Sequence, residues 1–237
     1  MERVRGFRIG GNKHAGRPWM PQVASRSLNV ADRDDIDGAP LHSFAMSRTP
    51  VDAGRADVAA VIVSYHPEVQ ALARLVQALA TQVGAIVLVD NASPRLPDLP
   101  ADVQLIRLPH NQGVAAAQNA GLQAAQRLGL RFALLLDQDS LPADDMTAQL
   151  LAAWQDATAQ GQAVGAVGPC IIDPLGRSEG FVSFGSGRYR AQPADEQQPW
   201  MRCDLLIASG TLLPLDVLAQ VGDMAEPLFI DKVDTEW

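Results

Sequence analysis

Apolar residues fall in short dense blocks from about residue 57 onward, and the stretches between them carry helical spacing. Val58 to Val63 is an unbroken apolar run that ends at Ser64-Tyr65-His66-Pro67, which predicts a buried strand closed by a turn. Leu72, Leu75, Val76 and Leu79 then line one helical face. Ala85 to Val89 is a second buried strand, ending at Asp90-Asn91, and Val103 to Leu108 a third with more alternation. An Ala- and Gln-rich helix is expected from about Val114 to Leu128, with Leu122, Ala125 and Leu128 inward. Phe132 to Leu136 is a fourth buried strand, ending at Asp137-Gln138-Asp139-Ser140, and Pro142 is expected to open a helix through Leu150, Leu151 and Trp154. Strands that are apolar on both faces and alternate with helices predict an α/β fold. Its mostly parallel sheet would be flanked by helices.

In such sheets ligands sit outside the carboxyl ends of the strands. Three of those ends carry polar residues in a row: Ser64-Tyr65, Asp90-Asn91 and Asp137 with Asp139. Turns favour Asp, Asn and Ser in any case; three such ends on one rim point to a site. Asp137 and Asp139, two residues apart past a buried strand, could both reach one hard divalent cation or divide metal and ribose duties between them. His66 and His110 have no partner at ligand spacing and read as loop residues. Asn111-Gln112-Gly113 leads into the second helical stretch. It reads either as a helix start with an Asn cap or as a cradle for phosphate at the helix N-terminus. No G-x-G-x-x-G follows the first strand and no G-x-x-x-x-G-K-S/T is present, which removes the ordinary dinucleotide and P-loop readings.

Charge changes the picture in one respect. The net charge of -8 counts against a protein that coats nucleic-acid phosphates. Residues 1–57 nevertheless hold nine Arg and Lys against seven Asp and Glu, while the remainder is strongly acidic. The first segment has no sustained apolar period and reads as a disordered extension over residues 1–56, ahead of a domain over 57–237. It lacks the continuous apolar stretch of a secretory signal, and a start at Met46 would leave residues 1–45 out. Cys170 and Cys203 suit neither a disulfide framework nor a metal clip. The longest apolar candidate, Leu205 to Leu218, is broken by Ser209, Pro214 and Asp216, so no membrane span is expected and a cytoplasmic location is.

Taken together, Val89-Asp-Asn-Ala-Ser93, Asn111 to Gly121, Leu135-Leu-Asp-Gln-Asp-Ser140, Ala208-Ser-Gly-Thr-Leu-Leu-Pro214 and Leu228 to Trp237 resemble the ordered motifs of family 2 glycosyltransferases. The Asp-Gln-Asp-Ser, Ser-Gly-Thr-Leu and Phe-Ile-Asp-x-Val-Asp-x-Glu-Trp elements look most like the rhamnosyltransferase branch. The resemblance implies a GT-A fold over residues 57–237 and a nucleotide-diphospho-sugar donor, dTDP-rhamnose. It also implies a saccharide or lipid-linked saccharide acceptor, transfer with inversion, and peripheral association with the inner face of the membrane. By the same resemblance Ser64 and Tyr65 lie against the nucleoside and Asp90, followed by Asn91, receives a hydrogen bond from the pyrimidine. Asn111 and Gly113 line the donor site, Asp137 faces the ribose, and Asp139 holds Mg²⁺ or Mn²⁺. Ser209 and Gly210 form the wall where sugar and acceptor meet. Asp234 is the implied base, with Asp231 and Glu236 close by.

Three departures from the family pattern are visible. His66 stands where Asn is usual, Lys232 where an aromatic residue is more frequent, and the chain stops at Trp237, before the Arg-bearing helix that normally follows. That last departure keeps a second reading in view: a sugar-nucleotide-binding remnant without full catalysis. A sugar-1-phosphate nucleotidyltransferase would share the sheet, but Ser64-Tyr65-His66-Pro67 is not the Gly-rich basic loop it requires.

Overall fold

The fully apolar blocks become buried strands, because only the sheet interior removes both of their faces from water, while the more alternating run from Val103 forms a partly exposed edge strand. A computed structural model describes residues 54–172, 181–185, 188–193 and 198–236, together with the backbone of two short strands, β1 (Arg8–Ile9) and β2 (Pro21–Ala24). The expected extension over 1–56 otherwise lies outside the described residues, apart from Gly54 to Ala56, which lead into the first long strand. The parallel core runs through β3 (Val58–Ser64), β4 (Ala85–Asp90), β5 (Val103–Arg107) and β6 (Phe132–Asp137). It is built with α1 (Val69–Leu79), α2 (Gly113–Arg127) and α3 (Met146–Ala159). Later come β7 (Ala166–Pro169), β8 (Ile171–Ile172), a hairpin of β9 (Phe181–Gly185) and β10 (Arg188–Gln192), β11 (Met201–Cys203) and β12 (Leu212–Pro214). Two short helices, α4 (Leu215–Val221) and α5 (Val233–Glu236), follow.

The main sheet has the order β11-β2-β7-β12-β6-β3-β4-β5. β6, β3, β4 and β5 are parallel, whereas β12 runs antiparallel between β6 and β7, a reversal the sequence did not announce. Alternate residues of β3 serve opposite layers, as the period of two requires. Val58, Ala60 and Ile62 pack against Leu72, Leu75, Val76 and Leu79 of α1 and against Met146 and Leu150 of α3. Ala59, Val61 and Val63 pack against Ala115, Ala117 and Leu122 of α2 and Leu218 of α4. Slipping β3 by one residue would exchange these two sets, so the register is held by both layers at once. The expected α/β class, with a mostly parallel sheet and helices on both faces, is the one observed.

Two expectations need correction. Pro142 does not open a helix: α3 begins at Met146, after a turn in which Met146 N–H donates to the Ala143 carbonyl (3.2 Å). Gln82 pins that turn, its Nε2 donating to the same carbonyl (2.9 Å) and its Oε1 accepting from Thr147 N–H (3.2 Å). Leu128 does not face inward. The helix ends at Arg127, Gly129 takes φ +71°, and Leu128 is left 47% exposed at the cap.

Candidate active site

The register of the parallel strands decides what meets at their carboxyl ends. Ser64 pairs with Asp90, and Val63 with Asp137, so the three polar ends expected from the sequence do lie on one rim. A cavity of about 490 Å³ opens above that rim. Tyr65, Asn91, Asn111, Gly113, Asp137, Asp139, Ser209 and Asp234 all border it. Ser64, Asp90, Gly210 and Asp231 do not. The side chain of Glu236 lies outside the described residues.

Asp90 is fully buried. Its carboxylate accepts from Ser93 N–H (3.2 and 3.1 Å), from Arg107 Nε (3.3 Å) and from Ser64 Oγ (3.3 Å). In this arrangement Asp90 and Ser64 tie the ends of β3 and β4 together. Asn91 is 2% exposed and serves as a clamp: its Nδ2 donates to the Gly113 carbonyl (2.9 Å) and its Oδ1 accepts from Gln112 N–H (3.0 Å).

The start of α2 follows from those clamps. Asn111 Oδ1 accepts from Gly113 N–H (3.0 Å), and the Phe229 carbonyl accepts from Val114 N–H (2.7 Å) and Ala115 N–H (3.4 Å). The amides of Gly113, Val114 and Ala115 are therefore taken by the chain itself; the N-cap position falls on Gln112, whose side chain makes no cap, so Asn111 acts one residue ahead of the expected Asn cap. Gly113 is required twice over. Its φ is +88°, and a Cβ there would lie 2.5 Å from the Phe229 carbonyl oxygen. Phe229 itself has φ +60°, and His66, Ala92 and Lys232 share the left-handed region. His66 and Ala92 directly follow Tyr65 and Asn91, and Phe229 borders the cavity, so backbone strain gathers around it.

Electrostatics set the cavity's character. Among the described residues, its lining includes the carboxyl groups of Asp137, Asp139 and Asp234 and no Lys, Arg or His. The Asp137 carboxyl is pushed up from its ordinary 3.8 to about 6, first by burial and then by the negative charges of Asp139 and Asp234, while a hydrogen bond with Ser209 opposes the rise. Burial also raises Asp234, against a hydrogen bond from the Ala208 backbone. Uncompensated acid of this kind fits a divalent cation held by Asp137 and Asp139 with open positions left for a ligand. Among the described residues no group of three or more His, Cys, Asp or Glu is placed to hold a metal ion together.

Ser209 and Gly210 act through the β6–β12 connection. Ser209 Oγ hydrogen-bonds Ser140 Oγ (2.7 Å) and accepts from Asp137 N–H (3.3 Å), which fixes the wall beside the two acids. Gly210, at φ +88°, donates its N–H to the Leu135 carbonyl (2.7 Å) and turns the chain into β12. Asp234 stands at a partition, since with Ile207 and Ala208 it also borders a smaller cavity of about 160 Å³ walled by Leu206, Val217, Val221 and Met224. Asp231 lies in the turn before α5, and of the two acids only Asp234 faces the main cavity.

Among the lining residues not named as candidate site residues from the sequence are Gln138, Gln118 and Phe229. Gln138, between the two acids, pins Tyr65 by accepting from its N–H (2.7 Å) and donating to its carbonyl (3.2 Å). An amide between two acids at a strand end was the available signal. Phe229 caps α2, and Gln118 lies within α2; neither carries a local signal, because each acts across the fold.

Residues 60–177 match the family model for glycosyl transferase family 2. The dTDP-rhamnosyl transferase RfbF of Shigella flexneri is 33% identical over 189 residues, covering 76% of this chain and 62% of that protein. The chain thus spans less than two thirds of the length of that relative. Among solved structures, S. aureus TarS 1-349 is 15% identical with a TM-score of 0.48, over 75% of this chain and 52% of that one.

Proposed function

We propose, for a chain whose residues 60–177 form a glycosyltransferase family 2 domain, that it transfers a rhamnosyl group from dTDP-rhamnose to a hydroxyl of a saccharide or lipid-linked saccharide, with inversion at the anomeric carbon. The observation that carries the reading is the meeting of Asp137, Asp139 and Asp234 with the exposed ring of Tyr65 in one cavity, where the described residues offer no basic side chain. The sugar donor in the relative's name supplies the donor class.

Each residue then has one task. Tyr65, 45% exposed and held through its backbone by Gln138, offers a flat face to the base. Asp137 and Asp139 hold Mg²⁺ or Mn²⁺, which when bound neutralises charge on the diphosphate as a Lewis acid. Asp234 takes the proton of the acceptor hydroxyl as that oxygen bonds to the anomeric carbon and the carbon–phosphate oxygen bond breaks, releasing dTDP. Its raised pKa makes the carboxylate a better base than an ordinary Asp. No helix among the described residues is long and apolar enough to cross a membrane.

Calorimetry with dTDP, with and without Mn²⁺, tests the reading. Metal-dependent binding is expected, lost in Asp139→Ala and weakened in Asp137→Ala. Binding by Asp139→Ala that still depends on Mn²⁺ to the same degree would remove the metal assignment, and no binding by the unmodified chain would remove the donor site.

A further inference from the structure

The segment that carries Tyr65 is gripped at both its backbone and its ring. Gln138 accepts from Tyr65 N–H (2.7 Å) and donates to its carbonyl (3.2 Å). The next residue is fixed as well, because His66 N–H donates to Ser93 Oγ (2.9 Å) while Ser93 N–H donates to the buried Asp90 carboxylate (3.2 and 3.1 Å). The grip on the ring comes from the His66 imidazole. Its centroid lies 4.3 Å from that of the Tyr65 ring, and the two planes cross at 83°.

Adjacent side chains of an extended strand point to opposite faces, so these two rings would not meet if β3 simply ran on. They meet because His66 takes φ +50°. A glycine would form the same turn without a Cβ penalty, so the turn alone does not call for an imidazole. The His66 side chain is exposed and adds nothing to the core. It does not border the main cavity, so it does not itself meet a ligand there. What the ring does touch is Tyr65, in the perpendicular geometry that aromatic pairs favour. With the Tyr65 backbone already pinned, the freedom left to that residue is rotation of its side chain, and the imidazole restrains it. A ring already set in place loses less freedom when a flat group stacks on it, and affinity rises accordingly.

We propose that His66 is a positioning residue, which through its perpendicular ring contact holds Tyr65 in the orientation that stacks on the base of the bound nucleotide. The proposal rests on the donor-site reading above and concerns affinity for the base alone. Its test is calorimetry in Mn²⁺ with two probes, dTDP and inorganic pyrophosphate, which lacks the base. His66→Asn keeps a residue suited to the left-handed region and removes the ring. It is expected to bind dTDP about threefold to tenfold more weakly, with pyrophosphate affinity and melting temperature unchanged. His66→Phe restores a ring and is expected to bind dTDP within about twofold of the unmodified chain. Tyr65→Ala is expected to lose about tenfold in dTDP affinity, and adding His66→Asn to it to cost nothing more, because the effect runs through Tyr65. Unchanged dTDP affinity in His66→Asn would overturn the proposal. So would equal weakening for pyrophosphate, a folded His66→Phe no better than His66→Asn, or a loss that persists in the Tyr65→Ala background. Failure of the unmodified chain to bind dTDP would instead sink the donor site, and this proposal with it.

Discussion

Replacing Gly113 by alanine tests how the cavity rim is held. An alanine at φ +88° meets the left-handed penalty of about 1–2 kcal/mol, offset by about 0.4–1 kcal/mol of lost freedom in the unfolded chain. The new Cβ would also lie 2.5 Å from the Phe229 oxygen, 2.7 Å from its Cδ2 and 2.9 Å from its Cα. Backbone at that distance must move, and the carbonyl that moves is the one holding Val114 N–H at 2.7 Å. Losing that bond adds about 0.5–1.5 kcal/mol. The sum is about 2 kcal/mol, or about 4–8 °C in Tm for a domain of this size. Gly129→Ala is the control: its φ is +71° and nothing lies within 4 Å of a built Cβ, so it meets the dihedral penalty without the clash. Thermal and urea unfolding of both variants should show Gly113→Ala clearly below Gly129→Ala, with dTDP affinity reduced only in the former. Equal melting temperatures would refute the claim that Phe229 is seated on α2.

Asp234→Asn should leave dTDP and Mn²⁺ binding nearly intact while release of dTDP from dTDP-rhamnose falls by roughly 10²-fold; full turnover alongside an inactive Asp231→Asn would move the base role to Asp231. Gly121→Ala should cost about 1–3 kcal/mol, because its Cβ would stand 2.2 Å from Val61 Cγ1, and adding Val61→Ala should recover part of that loss in urea unfolding. Burial, with Asp204 adding, pushes the Cys203 thiol from 9.0 up to about 12 against a hydrogen bond from the Leu205 backbone. The native thiol should therefore resist alkylation at about pH 8. The folded state also keeps this proton where the unfolded chain has lost it, so the contribution to stability is full below about pH 9 and is lost as pH rises toward 12. A urea midpoint at about pH 10.5 no lower than at pH 8 would contradict that.

The sheet was legible in the sequence because its signal is local. Four apolar runs of strand length, each closed by polar residues, leave few arrangements other than a covered parallel sheet, and the period of two assigns alternate residues to its layers. Asp137, Asp139 and Tyr65 could be placed on the rim for the same reason, since residues just past a buried strand have only the carboxyl edge to occupy. What the sequence by itself left open depended on contacts between distant segments. The insertion of β12 against β6 brings Ser209 onto Ser140, and the Phe229 carbonyl closes α2 from more than a hundred residues away. Asp90 and Asp137 look alike at their strand ends, yet Arg107 and Ser93 surround the first while the second stays in the cavity. Asp234 rather than Asp231 faces that cavity because α5 begins between them. Gln118 and Asn119 are adjacent in the chain, but one helical step of about 100° turns one to Met224 and the other to the cavity. Local pattern settles which segments are strands and helices; which polar group is paired and which borders the cavity is settled only when all the segments are packed together.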